Sequence, residues 1–165
     1  MSNEFFALDK EGGDPIWYLQ ILMTIKASGD KTGGALCLLN FKTPAGQTPL
    51  HVHHKEDEGW YLLEGSVTCT CGDETTKIEP GGFIWLPKDI PHRLRFESEC
   101  HLLQLAIPAG LEVFHKQMGQ PAPRLELPPP GQVLDTEKYE RLAGEHGLEI
   151  IQLPQWDANK EEAKR

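Results

Sequence analysis

From residue 16 to residue 107 the chain alternates short apolar runs with turn residues. Ile16 to Ile25 is apolar and rich in β-formers, and the Gly33-Gly34 pair introduces a second run from Ala35 to Phe41. Pro44-Ala-Gly-Gln-Thr-Pro49 reads as a loop. Glu58 to Leu63 ends at Glu64-Gly65, Ser66 to Cys71 ends at Gly72-Asp73, and Thr75 to Ile78 runs into Glu79-Pro-Gly-Gly82. Phe83 to Leu86 stops at Pro87, then His92 to Phe96 and Leu102 to Ile107 close the series. Turn signals spaced this regularly predict an antiparallel sandwich or small barrel. No helical period separates the runs, which argues against βαβ units.

After Pro108 the pattern changes. Leu111 to Met118 has the makings of a short helix with Gly119 as its stop. Residues 120 to 131 hold five prolines and read as an extended strap. A second helix is expected to start at Asp135-Thr136, either of which can cap it, and to end at Gly147. Leu148 to Leu153 is apolar enough to dock back on the body, and the last dozen residues are expected to fray. The expected division is a barrel with its following short helix over residues 1–120, and a strap and helix packing on it over residues 121–165.

Composition narrows the partners. With 165 residues the chain can bury a sizeable core. Its formal net charge is -9, from 25 acidic against 16 basic residues, and no basic block stands out. Nucleic acid is therefore not an expected partner, since phosphate binding needs a concentrated basic surface. No run approaches the ~18 apolar residues of a membrane span, and Met-Ser-Asn-Glu-Phe-Phe lacks the basic start of a secretory signal. A cytoplasmic protein is the expectation. Cys37, Cys69, Cys71 and Cys100 lack zinc-knuckle spacing and are read as free thiols.

The candidate chemistry sits in Pro49-Leu-His-Val-His-His-Lys-Glu-Asp-Glu58 and in Pro87-Lys-Asp-Ile-Pro-His92. Strand side chains alternate, so His51 and His53 share a face and His54 points away. A turn before Glu58 resets the parity and lets that carboxylate rejoin the face; Glu56 is the fallback if the turn is tighter. On a later strand His92, Leu94 and Phe96 share a face. Three neutral imidazoles and a carboxylate are a ligand set for one divalent transition metal, with Fe, Mn, Ni and Co suited and Cu or Zn compatible. Trp60, Leu94 and Phe96 are the expected substrate-contacting wall, while Phe83 and Trp85 suit a subunit interface. His101, His115 and His146 have no partners in the pattern and are read as solvent-facing or capping.

At these residues the chain resembles the cupin superfamily. The first cupin motif pairs His-x-His with a Glu and then a Gly, here His51, His53, Glu58 and Gly65. The second runs Gly, Pro, His, here Gly81, Pro87 and His92. Asp89 stands in place of a turn glycine, Phe96 in place of a frequent Asn, and Gly46 lies one residue nearer His51 than the motif has it. The segment around Pro-Leu-His-Val-His-His-Lys-Glu-Asp-Glu-Gly-Trp-Tyr is most similar to small quercetin 2,3-dioxygenase-like cupins. The resemblance implies an all-β jelly-roll barrel (a double-stranded β-helix) with short C-terminal helices. It also implies flavonol ring cleavage by O2 with release of carbon monoxide, an aromatic small-molecule substrate and Glu58 as the catalytic base. Alternatives are another metal-dependent cupin enzyme, an isomerase or different oxygenase, and a cupin that binds a small molecule without turnover. A homodimer is expected through the apolar N-terminal strand and its unpaired edge.

Overall fold

The computed structural model describes residues 3–153; the expected fraying of the last dozen residues lies outside them. The chain opens with a hairpin, β1 (Asp14–Tyr18) and β2 (Ile21–Ala27), followed by one helical turn, α1 (Gly29–Thr32). Next come β3 (Cys37–Thr43), β4 (Gly46–Gln47), β5 (Leu50–His53), β6 (Asp57–Glu64), β7 (Val67–Cys71) and β8 (Glu74–Ile78). β9 (Phe83–Leu86), β10 (His92–Phe96) and β11 (Cys100–Ile107) complete the barrel. Beyond it lie α2 (Leu111–Met118), β12 (Gln120–Pro121), α3 (Thr136–His146) and β13 (Leu148–Gln152).

The strands form two antiparallel sheets, in the orders β12-β1-β2-β3-β11-β6-β9 and β13-β5-β10-β7-β8, with β4 also pairing with β10. Period-two burial explains why they face each other. On β3, Cys37, Leu39, Phe41 and Thr43 point inward while Leu38, Asn40 and Lys42 point out. On β11 the inward set is Cys100, Leu102, Gln104 and Ala106. Met23, Leu39, Leu62, Val67, Leu94 and Leu102 are each at most 1% exposed and form the heart of one continuous core. This is an all-β jelly roll with short C-terminal helices.

The apolar stretch from Ile16 to Ile25, one run in the sequence, is two strands. They are joined at Leu19-Gln20, where Leu19 takes φ 52° without the Gly or Asn that usually marks such a turn. The edge expected to be unpaired is also covered. Ile16 and Trp17 pair with Pro121 and Gln120 of β12, and their side chains are buried. The apolar motive for dimerisation expected there is spent inside the chain. Exposed apolar side chains on a sheet edge include Phe83 and Trp85, on the outer face of edge strand β9.

The C-terminal segment closes over the barrel. Asp135 caps α3, its side chain accepting a hydrogen bond from Lys138 N, and Gly147 ends the helix in the left-handed region at φ 78°. β13 then pairs with β5, Leu148 opposite His53 and Ile150 opposite His51. All four cysteines are free thiols. Among the described residues no helix is long and apolar enough to cross a membrane.

Gly65 makes the β6–β7 turn at φ 95°, where a Cβ would come within 2.5 Å of Cys100 Sγ and 2.6 Å of Glu99 O. Gly65→Ala combines a disfavoured backbone conformation with a clash against main chain. It is expected to destabilise the fold by more than about 1 kcal/mol, read as a lowered urea midpoint.

Candidate metal centre

The barrel brings together His51 and His53 from β5, Glu58 from β6 and His92 from β10. One donor atom from each lies within 4.8 Å of all the others. Register fixes this: His92 pairs directly with His51 across β5 and β10, so both project on the same side. Between His53 and Glu58 the chain bends at His54 and Lys55, which restores the carboxylate to the inward face.

Contacts with the backbone orient the rings. His51 Nδ1 lies 2.9 Å from Pro49 O and His92 Nδ1 lies 3.0 Å from Ile90 O. A carbonyl can only accept, so each Nδ1 carries the proton and each Nε2 lone pair faces the centre. There His51 Nε2 is 3.2 Å from His53 Nε2, and Glu58 Oε2 is 3.2 Å from His92 Nε2 and 3.4 Å from His53 Nε2. Backbone-anchored imidazoles with inward lone pairs beside one carboxylate fit the donor set of a divalent transition metal. The buried cluster can hold one.

Its electrostatics agree. Burial, and then the neighbouring His53 and His92, push the His51 pKa down to about 3. Burial alone raises the Glu58 carboxyl, but His53, His92 and His51 outweigh it and hold the group below the usual carboxylate range. Burial lowers His53, and Glu58 and Glu56 more than reverse it. The result is an anionic carboxylate among imidazoles that favour an added cation.

Glu56, the alternative carboxylate, does not join the four donors. It is buried on the far side of His53, with Oε2 3.6 Å from Nδ1. His54 faces outward between Asp89 (2.7 Å) and Glu149 (3.1 Å), which raise its pKa. Asp89 takes the left-handed conformation at φ 65°, as its place in the turn required.

A cavity of about 130 Å³ opens on the cluster. His51, His53 and Glu58 line it, as do Trp60, Leu94 and Phe96. Among the further wall residues not singled out from the sequence are Gln104 and His115. Gln104 Nε2 donates to Glu58 Oε1 at 2.6 Å, and its alternation with Leu102 and Ala106 marked it as inward. His115, expected to be solvent-facing or capping, is buried in the cavity wall. It belongs to the buried stripe Leu111, Phe114, His115 of α2, a helical spacing visible in the sequence. His101 bonds Asn40, and His146 bonds Gln117 at 2.7 Å in the last turn of α3.

Residues 40–107, which carry all four clustered donors, match the family described as a cupin domain. Among characterised proteins the chain resembles quercetin 2,3-dioxygenase of Bacillus subtilis, at 25% identity over 118 residues, 70% of this chain and 35% of that one. The chain spans between about a third and a half of the length of the curated relatives it matches. Solved structures share the fold. An RmlC-like cupin from Shewanella frigidimarina aligns with TM-score 0.56 and 13% identity, covering 67% of this chain and 96% of that one. A predicted oxalate decarboxylase from Thermotoga maritima aligns with TM-score 0.55 and 17% identity, covering 62% and 99%.

Proposed function

We propose that the protein is a metal-dependent dioxygenase of the quercetin 2,3-dioxygenase type, with His51, His53, His92 and Glu58 as ligands and an aromatic enol as substrate. The observation that carries this reading is the convergence of four donor atoms, with three of their residues, His51, His53 and Glu58, lining a cavity walled also by Trp60, Leu94 and Phe96. A divalent metal held there supplies a Lewis acid that makes an enolic hydroxyl easier to deprotonate.

The chain's own groups do the rest. Glu58, held ionised, accepts the hydroxyl proton at Oε2, while Gln104 fixes Oε1 and keeps the carboxylate in one orientation. Trp60, Leu94 and Phe96 contact the flat faces of the substrate and keep water from the reacting carbon atoms. Among the described residues no lysine or arginine lines the cavity, which favours a neutral substrate over a phosphate or carboxylate. The reading includes a homodimer, resting on the exposed Phe83 and Trp85 rather than on the N-terminal hairpin.

A second reading is another metal-dependent cupin enzyme acting on a smaller enol. The cavity size favours it: about 130 Å³ is well below the ~300 Å³ at the lower end of pockets that enclose drug-sized ligands.

Oxygen uptake tests both. Protein loaded in turn with Fe, Mn, Co and Ni is offered quercetin and catechol in an oxygen electrode. Consumption is expected with at least one metal, falling by about 100-fold or more in Glu58→Gln. Uptake with catechol alone selects the second reading, and no uptake with any pairing overturns the dioxygenase.

A further inference from the structure

Beyond the clustered donors, three side chains of residues lining the same cavity keep buried polar atoms with no partner in the described chain. They are Trp60 through Nε1, Gln104 through Oε1 and His115 through both ring nitrogens. Leaving such atoms unpaired costs stability, so a site that keeps them is matched to something it binds. His115 stands out because neither of its nitrogens has a protein partner although the residue is only 9% exposed.

Its position is held firmly. Glu112, the buried neighbour on α2, accepts a hydrogen bond from Gly29 N at 2.7 Å and another from Gly110 N at 2.8 Å, pinning the start of the helix to the barrel. The imidazole packs between the rings of Tyr18 and Phe114, with centroids 6.4 and 5.4 Å away. It lies close enough to the cluster to interact with the charges of Glu58 and His53. The cavity wall therefore includes polar residues both from the cluster and from α2, alongside the apolar Leu94, Phe96 and Phe114. His115 also lies outside residues 40–107, the segment matched to the cupin domain, whereas all four clustered donors lie inside it.

We propose that His115 is a ligand-binding residue, its imidazole hydrogen-bonding one oxygen of a neutral aromatic compound while another oxygen of that compound faces the histidine–glutamate cluster. This rests on reading the cavity as an aromatic-enol site. It assigns ligand selection to α2, a part of the chain beyond the matched domain.

The test uses the full-length, metal-loaded protein without oxygen, with quercetin and catechol as probes followed by calorimetry. His115→Phe keeps a ring and removes both nitrogens; His115→Gln keeps hydrogen-bonding capacity. Wild type is expected to bind at least one probe. His115→Phe is expected to bind it about tenfold more weakly and His115→Gln to lie between the two, with metal content unchanged in both. In chelator-treated protein His115→Phe is expected to melt at the wild-type temperature or about 2–4 °C higher, because an unpaired polar ring has been replaced by an apolar one. Equal affinity of wild type and His115→Phe overturns the assignment, as does a lower melting temperature in His115→Phe, the mark of a structural histidine. Failure of wild type to bind either probe overturns it together with the aromatic-enol reading. Binding without oxygen consumption leaves the His115 assignment standing and removes only the dioxygenase.

Discussion

Replacing His53 with alanine is expected to leave dialysed protein with less than about a tenth of the metal bound by wild type. His53 Nε2 faces both His51 and Glu58 across the centre of the cluster. Its removal deletes a donor and opens the preorganised cage. A lost ligand exceeds the ~10–100-fold in affinity that outer partners of ligating histidines are worth. Two controls separate this from general damage. Glu56→Gln alters only the carboxylate behind His53 and is expected to fall within that smaller range. His54→Ala removes an outward-facing ring and is expected to leave metal content unchanged. Far-UV circular dichroism should stay β-rich in all three, because the pairing of β5 with β13 uses backbone groups. Stoichiometric metal in His53→Ala, measured by plasma emission, would mean that the ligands are other residues.

The second large effect is acid sensitivity of the metal-free fold. Burial pushes the His115 pKa from 6.5 down to about 4. Between those values the unfolded chain binds a proton that the folded chain refuses, so stability is fully present above 6.5 and is lost as pH falls toward 4. The loss amounts to about 3 kcal/mol from this residue. His51, lowered to about 3, adds in the same direction, and Glu58, lowered from 4.5, adds a further loss below that value. His53 works the other way: its raised pKa gives stability that is present below 6.5 and lost as pH rises through the folded value. Urea unfolding of chelator-treated protein at about pH 7.5 and about pH 4.5 reads the balance, and a clear fall in midpoint at the lower pH is expected. His115→Phe should recover much of it. An equal fall in that variant would remove His115 as the source.

The two cases differ in how much of each residue's role could be read from the sequence. Strand parity alone separated His51 and His53 from His54, and the bend before Glu58 followed from its odd spacing. The later strand showed His92, Leu94 and Phe96 on one face because period-two patterning survives wherever one face is buried. His115 was harder, since a lone histidine in a helix carries no ligand spacing. Its inward direction depends on where α2 lands against the barrel, and only the stripe with Leu111 and Phe114 hinted at it. The turn at Leu19 was hidden for a related reason. No glycine or asparagine announces its positive φ, so two strands read as one. Nor could the sequence show that β12, a pair of residues inside a proline-rich strap, would cover the edge of β1.

The pairing of β5 with β13 also bears on how the molecule is made. The strand carrying His51 and His53 is flanked on one side by β10 and on the other by a strand translated much later. A nascent chain halted before Leu148 would hold both histidines on a bare sheet edge, open to pairing with other chains. Loss of the final strand should therefore send newly synthesised protein into insoluble material before it affects any property of the finished fold.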